Sequence, residues 1–478
     1  MANELSPDQQ RRLASLLSLS PEVDELALRF VAEGLQLYLV GGTVRDALLG
    51  RAHTDLDFAT DAPPERTRGV LQPWADDVWM QGAAFGTVGC ARGGLRVEIT
   101  TFREEVYPAD SRNPEVRYAP DILADLSRRD FTINAMAVRL PERSFVDPFG
   151  GIGDLAAGIL RTPSGPALSF GDDPLRMLRA ARFVSELKFK PSPDTLTAIT
   201  EQRSRLGIVS RERIRDELSK LLLGSAPGVG LDVVVRTGLA AEFLPEIPAL
   251  ALAQDPVNRH KDVLRHTIAV VERAALMDAG APDLTLRMAA LLHDIGKPRT
   301  RAFGSQGVSF HHHEVVGAQM AEARLRGLRY PAKFVEAVAA LVLLHLRVHT
   351  FRMGWTDSAV RRYARDAGPL LERLNRLIRA DCTTRNPMRA KQLTTRIDDL
   401  ESRIAVLAEQ ENLARIRPPL DGREVMAHLG IQPSPLVGKA LAHLLEIRLD
   451  SGPLDKDEGY RLLEEWALSE GLEIAGEH

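Results

Sequence analysis

The chain has only two cysteines, Cys90 and Cys382, and they lie far apart in the sequence. No disulfide framework is implied, and we expect a reducing, cytoplasmic compartment. No apolar run approaches the roughly 20 residues that a membrane-spanning helix requires. The first residues, MANELSPDQQRR, are polar, so we expect no signal peptide and no membrane partner.

Lysine is scarce at the start of the chain, where Lys188 is the first, and arginine greatly outnumbers it. The net charge of −4 argues against a globally basic nucleic-acid binder. It is compatible with a local basic groove, because arginine forks bind phosphates bidentately. A genomic composition bias is the simpler explanation for most of the arginine excess. The length of 478 residues indicates about three domains, and the apolar content of 44% is ordinary for a globular protein.

The first candidate site lies in residues 37–60, LYLVGGTVRDALLGRAHTDLDFAT. Its first four residues are apolar, which predicts a buried strand. Gly41 and Gly42 follow, and a helical pattern begins directly after them. Two glycines at a strand-to-helix turn let a ligand approach the backbone, and the new helix offers unpaired N–H groups. The pattern therefore predicts a triphosphate-binding turn.

Asp55 and Asp57 lie in the next apolar run, and alternate residues of a strand point to the same face. Two neighbouring carboxylates repel each other unless a divalent cation neutralises them, and Mg²⁺ is held by carboxylates together with substrate phosphates. A pair of such ions supports in-line nucleotidyl displacement. Taken singly, a Gly-Gly pair is most often only a turn, and an Asp-x-Asp is most often solvated surface. The two in this order favour the catalytic interpretation.

Glu98 extends this candidate site. Short β-rich runs at 87–91 and 95–99 flank Gly93 and Gly94, which predicts a β-hairpin. An acidic residue in an otherwise apolar strand needs a partner. Either Glu98 forms a salt bridge with a nearby arginine, or it is a third carboxylate beside the metal.

Two later segments complete the first half of the chain. Residues 102–120 are polar and rich in proline, which predicts a long mobile loop of the kind that is often functional. From Phe170 the composition becomes helical, and Asp172 and Asp173 are good N-cap residues before Pro174. Arginines recur every three residues along this helix and would form a basic ridge, which is usually a solvated face.

Seven motifs occur in one order between residues 37 and 224: VGGTVRDALLG, DLDFAT, VEITTFREE, DLSRRDFTINAMA, DPFGGIGDLAAGILRT, DDPLRMLRAARF and SRERIRDELSKLL. As a set they resemble the class II tRNA nucleotidyltransferases, the bacterial CCA-adding enzymes, which have a polymerase-beta-like head. One departure is the Asp172-Asp173 pair, where the family commonly has Glu-Asp. Because the second acid is kept, we expect little change.

The resemblance implies roles for individual residues. Asp55 and Asp57 would bind Mg²⁺, with Glu98 in support. Other residues would contact the triphosphate, approach the sugar and phosphates, or read and hold the incoming nucleotide. In sequence order these nucleotide-binding residues are Gly41, Gly42, Arg45, Arg129, Asp130, Asn134, Asp173, Arg176 and Arg179.

The chemistry of the bases supports a reading role for Asp173 and Arg176, which lie about one helical turn apart. Cytosine and adenine both offer an exocyclic amine beside an acceptor ring nitrogen, and a carboxylate with a guanidinium matches that pattern. Uracil and guanine present the inverse pattern and would leave both charged groups mispaired, which discriminates strongly. The alternative is that Asp173 only caps its helix.

A second constellation of candidate ligands lies in residues 249–385. It consists of His266, His293-Asp294 in LLHDIGKP, His313 in FHHHEVVGA, His345 in VLLHLRVH and Asp381 in IRADC. A single helical histidine is more often a satisfied residue than a ligand. Here each member sits in a largely apolar helical segment where a lone polar group would be costly. Imidazoles and carboxylates bind transition metals or Mg²⁺.

The spacing of this set resembles the HD phosphohydrolase superfamily. By that resemblance a divalent metal of undetermined identity is held by four core ligands, His266, His293, Asp294 and Asp381. His313 and His345 would hold a second ion. The resemblance implies phosphatase or phosphodiesterase activity at this site.

We therefore predict four parts. These are an α/β nucleotidyltransferase head with a mixed sheet at 1–150, a mainly α-helical neck and body with nucleotide-reading and RNA-binding motifs at 151–250, an HD-type helical domain at 251–385 and a helical tail at 386–478. The tail resembles the C-terminal region of longer CCA-adding enzymes and would bind tRNA. Its alternative role is packing without RNA contact.

The leading hypothesis is template-independent addition of C, C and A to tRNA 3′ ends from CTP and ATP. Bacterial poly(A) polymerase shares the head, but GAAFGTVGCARGG lacks the basic cluster typical of that enzyme. Addition of only CC or only A is a second alternative. The loop at 102–120 and the Asp173–Arg176 pair favour complete CCA addition. The third alternative, an RNA-binding protein with inactive sites, is disfavoured by the intact acidic ligands.

Overall fold

The computed structural model describes residues 6–18, 21–51, 55–106, 115–119, 121–252, 262–278, 280–304, 307–348, 355–382, 387–411 and 416–472. The chain divides into two compact units, Met1–Pro248 and Ala249–His478. Among the described helices, none is long and apolar enough to cross a membrane. The finer division into four parts, at residues 150, 250 and 385, stays a prediction.

The first unit begins with an α/β region built on one mixed sheet. In order it contains α1 (Pro7–Ser18), α2 (Pro21–Ala32), β1 (Leu37–Val40), α3 (Gly42–Leu48), β2 (Asp55–Thr60), α4 (Pro64–Leu71), β3 (Asp77–Trp79), β4 (Thr87–Arg92), β5 (Leu95–Thr101), β6 (Arg103–Val106), β7 (Glu115–Tyr118), α5 (Ile122–Ser127), β8 (Ala137–Leu140), β9 (Ser144–Val146) and α6 (Gly151–Ala157). The strand order is β3-β4-β5-β2-β1-β8-β9, and only the β2–β5 pair is parallel. The predicted mixed-sheet head is confirmed.

The local sequence explains these strands. All four residues of β1 are buried, as a continuous apolar run predicts. In β5, buried Val97 and Ile99 alternate with exposed Arg96 and Glu98, so one face of the strand packs on the core. Gly93 and Gly94 connect β4 to β5 with positive φ angles of 56° and 86°. Two-residue hairpin turns favour such angles, and the predicted hairpin is confirmed.

The predicted loop at 102–120 is wrong at both of its ends. Arg103–Val106 and Glu115–Tyr118 pair as an antiparallel two-stranded sheet, with Arg103 opposite Tyr118. These short, charged segments carry no clear apolar alternation, so the cross-strand backbone hydrogen bonds were not visible in the pattern. Residues 107–114, the centre of the predicted loop, lie outside the described residues.

Short strands and helices complete the first unit. They are β10 (Ile159–Leu160), α7 (Pro166–Asp172), α8 (Leu175–Leu187), β11 (Lys190–Pro191), α9 (Pro193–Gln202), α10 (Arg211–Leu223), α11 (Pro227–Arg236) and α12 (Ala240–Phe243). Helix α8 packs against α10 and α11. Gly230 permits the second of these contacts, because a Cβ atom there would lie 2.7 Å from the backbone oxygen of Ala181.

The described part of the second unit consists of helices and one β-ribbon. It contains α13 (Val263–Leu276), α14 (Leu284–Leu292), α15 (Lys297–Thr300), β12 (Arg301–Gly304), β13 (Gly307–Phe310), α16 (His313–Gly327), α17 (Ala332–Leu344), α18 (Asp357–Ala367), α19 (Leu371–Asp381), α20 (Pro387–Glu411), α21 (Gly422–Leu429), α22 (Pro435–Ser451) and α23 (Lys456–Ser469). Arg361 on α18 donates to Glu411 on α20 at 2.8 and 2.9 Å, and Arg448 on α22 lies 3.1 Å from the same carboxylate. This buried ion-pair network links three helices that are distant in sequence.

Candidate active site and metal centre

A cleft of about 790 Å³ opens in the first unit, and arginines dominate its lining. The lining residues are Gly41, Gly42, Arg45, Asp57, Phe85, Arg103, Arg128, Arg129, Asp130, Asn134, Asp172, Asp173, Pro174, Arg176, Arg179, Arg182, Phe183, Ile208, Val209 and Arg213. The cleft therefore combines a strong positive lining with a small number of carboxylates, which suits a polyphosphate ligand.

The glycine turn lies at one wall of this cleft. Gly41 has a φ angle of 72°, and a Cβ atom there would lie 2.8 Å from Nη1 of Arg129. The positive φ favours glycine, and the short distance places a guanidinium directly beside the turn. Helix α3 starts at Gly42, and the Oγ1 atom of its Thr43 accepts a hydrogen bond of 3.3 Å from the backbone N–H of Asp57. The turn and the acidic strand are thus held together.

Asp57 and Glu98 are neighbours across the parallel β2–β5 pair, where they are directly in register. Both are exposed, while Leu56 and Phe58 beside Asp57 are buried, so the two carboxylates share the solvent-facing side of the sheet. Asp55 begins β2, but its side chain lies outside the described part of the chain. The described residues form no ion pair with Glu98, and Glu98 does not itself line the cleft.

A chain of hydrogen bonds runs from α3 to α8 along the floor of the cleft. Arg45 binds Asp46 at 2.8 and 2.7 Å and donates to Oδ1 of Asn134 at 2.6 Å. Asn134 donates to Asp130 at 2.9 Å, and Arg179 donates to Asp130 at 2.9 and 2.5 Å. Burial opposes ionisation of Asp130, but the Arg179 guanidinium and the Asn134 amide together hold its pKa well below the usual range. The carboxylate is therefore charged, and the geometry of Arg45 and Arg179 is coupled.

Asp125 at the end of α5 organises the two arginines that follow it. It is 1% exposed and accepts hydrogen bonds from Arg128 at 2.6 Å and from Arg129 at 2.9 Å. Burial raises the pKa of this carboxyl, but Arg129 and Arg128 outweigh burial and lower it. Asp125 belongs to the motif DLSRRDFTINAMA, yet its role was not predicted, because a sequence pattern does not distinguish an acid that faces ligand from one that holds arginines.

Glu217 on α10 is a second buried carboxylate that pairs with two arginines. It is buried, lies 2.8 Å from Arg182 and 3.6 Å from Arg179, and so neutralises two arginines of α8. Both guanidiniums, with that of Arg45, also approach the ring of Phe183 at distances of 4.2 to 5.7 Å. These arginines therefore do not form the solvated face that is usual for a basic ridge, because they pack against a carboxylate and an aromatic ring.

The candidate base-reading pair lies at the start of α8. Oδ1 of Asp173 accepts from the N–H of Leu175 at 3.1 Å, and Oδ2 lies 2.8 Å from Nη2 of Arg213 on α10. The carboxylate thus accepts from the first N–H of α8, whose N-cap residue is Pro174, and is an ion-pair partner at once. Asp172 is not a cap of α8, since it is the last residue of α7. Each oxygen of Asp173 keeps an accepting position, because a carboxylate offers about four lone-pair sites.

Arg176 is more constrained than a freely moving surface arginine. It is 7% exposed and donates to Oγ of Ser169 at 2.9 Å and to the backbone oxygen of Arg128 at 2.5 Å. These bonds fix the plane of the guanidinium beside Asp173. Remaining N–H groups of the five-donor fork are available for a ligand in the cleft.

A cluster of histidines and aspartates lies in the second unit. Nε2 of His266 is 2.8 Å from Asp381 and 3.7 Å from Asp294, and Nε2 of His293 is 3.3 Å from Asp294. Nε2 of His313 and of His345 lie 3.4 and 4.0 Å from the other oxygen of Asp294. Asp294 therefore stands between two groups of histidines, and all six predicted ligand residues come together here.

Three of these imidazoles share a feature of metal ligands. The Nδ1 atoms of His293, His313 and His345 lie 2.6 to 2.8 Å from backbone carbonyl oxygens three residues earlier. Their Nε2 atoms are buried and make no hydrogen bond within the described part of the protein. Metal-bound histidines use their second nitrogen in this way to fix the ring. A buried polar atom without a partner is costly, so the residues fit a divalent cation.

The cluster divides into two sets, each able to place three ligand atoms within 4.8 Å of one another. One set is His266, His293 and Asp294, and the other is Asp294, His313 and His345. Burial lowers the pKa of His345 to about 3, aided by the nearby His293, so this imidazole is neutral as a metal ligand must be. Burial opposes ionisation of Asp294, but His293, His313 and Lys297 hold its pKa well below its usual value.

Comparison with known proteins places the chain among tRNA nucleotidyltransferases. It is 34% identical over 437 residues to the A-adding tRNA nucleotidyltransferase of Deinococcus radiodurans, which covers 90% of this chain and 95% of that protein. The chain belongs to the tRNA nucleotidyltransferase family. It is also 32% identical over 448 residues to the CC-adding tRNA nucleotidyltransferase of Thermus thermophilus, with 91% and 95% of the two chains covered. The CCA-adding enzyme of Bacillus licheniformis is 44% identical over 211 residues, 44% of this chain and 52% of that enzyme.

Family models locate the parts of this tRNA nucleotidyltransferase. Residues 37–161 match the model described as "Poly A polymerase head domain", residues 188–250 match "Probable RNA and SrmB- binding site of polymerase A", and residues 263–408 match "HD domain". The crystal structure of the Bacillus stearothermophilus CCA-adding enzyme in complex with CTP is similar, with a TM-score of 0.65 and 26% identity over 95% of this chain and 98% of that one. The predicted family and the predicted fold class are confirmed, and the head match indicates dependence on a divalent metal.

The structure of this tRNA nucleotidyltransferase brings most predicted site residues together. All nine predicted nucleotide-binding residues and Asp57 line the cleft, and Glu98 lies beside Asp57. Sequence reasoning missed Arg213 and Glu217, although both lie in the quoted motif SRERIRDELSKLL. It also missed Lys297, which follows the HD motif and donates to Asp294 at 2.6 Å. The roles of all these residues stay predictions.

Proposed function

We propose that this protein adds C, C and A to tRNA 3′ ends without a nucleic-acid template, using CTP and ATP. The single observation that carries the proposal is one cleft that joins the glycine turn, Asp57 and the Asp173–Arg176 pair. Such a cleft can hold a triphosphate at one end and select a base at the other. We assign Mg²⁺ to Asp55 and Asp57, with Glu98 in support, because hard oxygen ligands and phosphates suit that ion.

Different residues of the cleft have different roles in the reaction. The backbone N–H groups at Gly41 and Gly42 and the Arg45 guanidinium bind the triphosphate. Arg129 lies against Gly41 and, with Asp130 and Asn134, orients the sugar and phosphates. The tRNA 3′-hydroxyl forms a new bond to the α-phosphorus, and the bond to the β-phosphate breaks, so that pyrophosphate leaves. Bound Mg²⁺ would activate that hydroxyl and offset the charge of the leaving group.

Base selection follows from the charged pair at α8. Asp173 accepts from the exocyclic amine of cytosine or adenine, and Arg176 donates to the adjacent ring nitrogen. Uracil and guanine would place a carbonyl against the carboxylate and an N–H against the guanidinium, which leaves both mispaired. Arg179 is bound to Asp130 and holds the incoming nucleotide. A protein template of this kind needs no complementary strand.

One experiment decides whether the protein adds CC, A or the complete CCA sequence. An A-adding and a CC-adding enzyme match about nine-tenths of this chain, whereas the CCA-adding enzyme of Bacillus licheniformis matches 44% of it at higher identity. Purified protein should be incubated with tRNAs that lack A, CA or CCA, with CTP or ATP supplied singly and together. Complete repair of all three tRNAs supports CCA addition. Extension of only one kind of end would establish a CC-adding or an A-adding enzyme, and extension beyond CCA with ATP would indicate a poly(A) polymerase.

We also propose metal-dependent phosphohydrolysis at the HD cluster. The observation behind it is the set of three buried Nε2 atoms around Asp294, which fits two adjacent divalent ions. Metal analysis of the purified protein, followed by assays with phosphomonoester and phosphodiester substrates, tests this second activity. A protein that binds no supplied divalent ion at these histidines would exclude it.

The proposed division of labour follows the predicted domains. Residues 1–150 would carry the chemistry, residues 151–250 would read the nucleotide and contact RNA, and residues 251–385 would form the hydrolase. The helical tail at 386–478 would contact the acceptor arm of tRNA, mainly through phosphates. This assignment fits a cytoplasmic tRNA-processing enzyme.

A further inference from the structure

The β12–β13 ribbon separates the HD motif from His313, and its two faces differ sharply. In the antiparallel register Arg301 lies opposite Phe310, and Phe303 lies opposite Val308. Residues directly opposite each other share a face, so these four large side chains are on one side of the ribbon. The other face carries only alanine, serine and glycine, at positions 302, 304, 307 and 309.

The face with the large side chains is not buried in the core. Phe303 is 70% exposed, and Val308 and Phe310 are only partly buried. The Phe303 ring is therefore accessible to a ligand from solvent.

Cations alternate with the two aromatic rings along this face. The Arg301 guanidinium lies 4.7 Å from the ring centre of Phe303, and Nζ of Lys297 lies 5.8 Å from the ring centre of Phe310. We call Lys297, Arg301, Phe303 and Phe310 the aromatic ribbon. Alternating rings and cations can bind bases by stacking and the phosphates between them by charge.

One end of the aromatic ribbon touches the metal-ligand cluster. Nζ of Lys297 is 2.6 Å from Oδ2 of Asp294, and the backbone oxygen of Phe310 lies 2.7 Å from Nδ1 of His313. A chain bound along the ribbon would therefore have one terminus at the histidines, while its other bases extend toward Phe303.

We propose that the aromatic ribbon binds single-stranded RNA and directs its end to the HD cluster. Unstacked bases would lie on Phe303 and Phe310, and Arg301 and Lys297 would contact the phosphates. A duplex would not fit this arrangement, because its bases are already stacked on one another. This inference rests on the proposed hydrolase function of the cluster, for which it names the substrate class.

The binding test uses the full-length protein and a fluorescent hexaribonucleotide, with divalent metal removed by EDTA. Phe303→Ala should weaken binding at the ribbon by roughly tenfold, since stacking on one aromatic side chain contributes about that much per base. Phe303→Trp should retain binding. Leu276→Ala, at a position 80% exposed in the same unit, is the matched control and should behave as the parent.

A second readout separates the ribbon from other RNA-binding surfaces. A hexamer with 4-thiouridine should crosslink to residues 301–304 or 307–310, and Phe303→Ala should lose that crosslink. Equal binding and crosslinking by parent and Phe303→Ala would overturn the proposal, as would equal competition by duplex RNA or by inorganic phosphate alone. Loss of binding in Leu276→Ala would overturn it as well. Because binding is measured without metal, an inactive HD cluster would remove the proposed hydrolysis and leave this result independent.

Discussion

In the head cleft, Arg45 and Arg179 already bind Asp46 and Asp130, whereas in the HD cluster the buried Nε2 atom of His345 binds no described residue. The cleft is an open site in which several of the arginines are already paired with carboxylates of the protein. The cluster is a buried site in which three imidazole Nε2 atoms, those of His293, His313 and His345, make no hydrogen bond to the described residues. In our proposal both sites act on phosphate groups, yet they differ in how many of their polar atoms have partners among the described residues.

The difference in internal partners indicates how readily each site exchanges its ligand. A nucleotide that enters the cleft competes with carboxylates that already hold the arginines, so it exchanges one set of charged hydrogen bonds for another. Reversible exchange suits repeated binding of CTP and ATP. In the cluster, bound metal would give a partner to the buried Nε2 atoms of His293, His313 and His345, whose rings are already oriented by backbone carbonyls. A permanently held metal fits that arrangement.

The largest effect is expected from removal of a metal-binding carboxylate in the head. Asp57→Asn should lower nucleotide addition about a thousandfold or more, because the metal contributes several kcal/mol to this displacement. Single-turnover addition of CMP to tRNA measures the loss. The HD cluster should keep its metal content. Asp77→Asn, an exposed aspartate of β3, is the matched control, and addition by Asp57→Asn at a tenth of the parent rate would contradict the assignment.

The second-largest effect is expected on the metal content of the HD cluster, and it distinguishes the two ligand sets. Asp294→Ala should lose all bound metal, because both ligand sets share this carboxylate. His266→Gln and His345→Gln should each lose only part of it, since each belongs to one set. Metal content by mass spectrometry is the measurement, and CCA addition should be retained throughout. His312→Gln, an exposed neighbour, serves as control. Full metal content in Asp294→Ala would refute a shared ligand.

A smaller effect tests the internal neutralisation of the cleft. Glu217→Ala should destabilise the protein by roughly 3 kcal/mol, since it leaves buried arginine charge without its partner. Thermal unfolding measures this loss, and the KM for CTP should rise because Arg179 loses one anchor. Glu212→Ala on the exposed face of the same helix should leave both quantities unchanged. An unaltered melting temperature in Glu217→Ala would show that the arginines do not depend on this carboxylate.

The smallest effect concerns base choice. Arg213→Gln should raise the ratio of UTP to CTP incorporation by about three- to tenfold, because a charged hydrogen bond to a half-exposed partner contributes about 1 kcal/mol. Asp173→Ala should raise the same ratio by about one to two decades. The double variant should be less than additive, since both act on one carboxylate.

Base choice must be separated from simple helix capping. Loss of a cap costs about 1 kcal/mol of stability and leaves the incorporation ratio unchanged. Melting temperature should therefore be measured beside the ratio for each variant. Arg236→Gln, which breaks a surface pair with Asp232 on α11, is the matched control. A destabilised Asp173→Ala with the parent ratio would establish that Asp173 is only a cap.

Local patterns in the sequence were sufficient to predict the glycine turn of the head, the β4–β5 hairpin and the family. Gly41 needs a positive φ, and the alternation in β5 places Val97 in the core, so each prediction depended on neighbouring residues. The six ligand residues of the HD cluster were also predicted, because histidines and aspartates in apolar helical segments call for a partner. The sequence alone therefore identified many of the chemical groups in each site, although it missed Arg213, Glu217 and Lys297.

Only the tertiary structure decided how those groups pair. Glu98 stands beside Asp57 because β2 and β5 are parallel and in register, and register between distant strands is not encoded by either strand alone. Arg213 meets Asp173 across 40 residues of sequence because α10 packs on α8. The same packing pairs Arg179 and Arg182 of α8 with Glu217 of α10. Long-range packing sets these distances, since a local pattern specifies which face of an element is apolar but not which element will cover it.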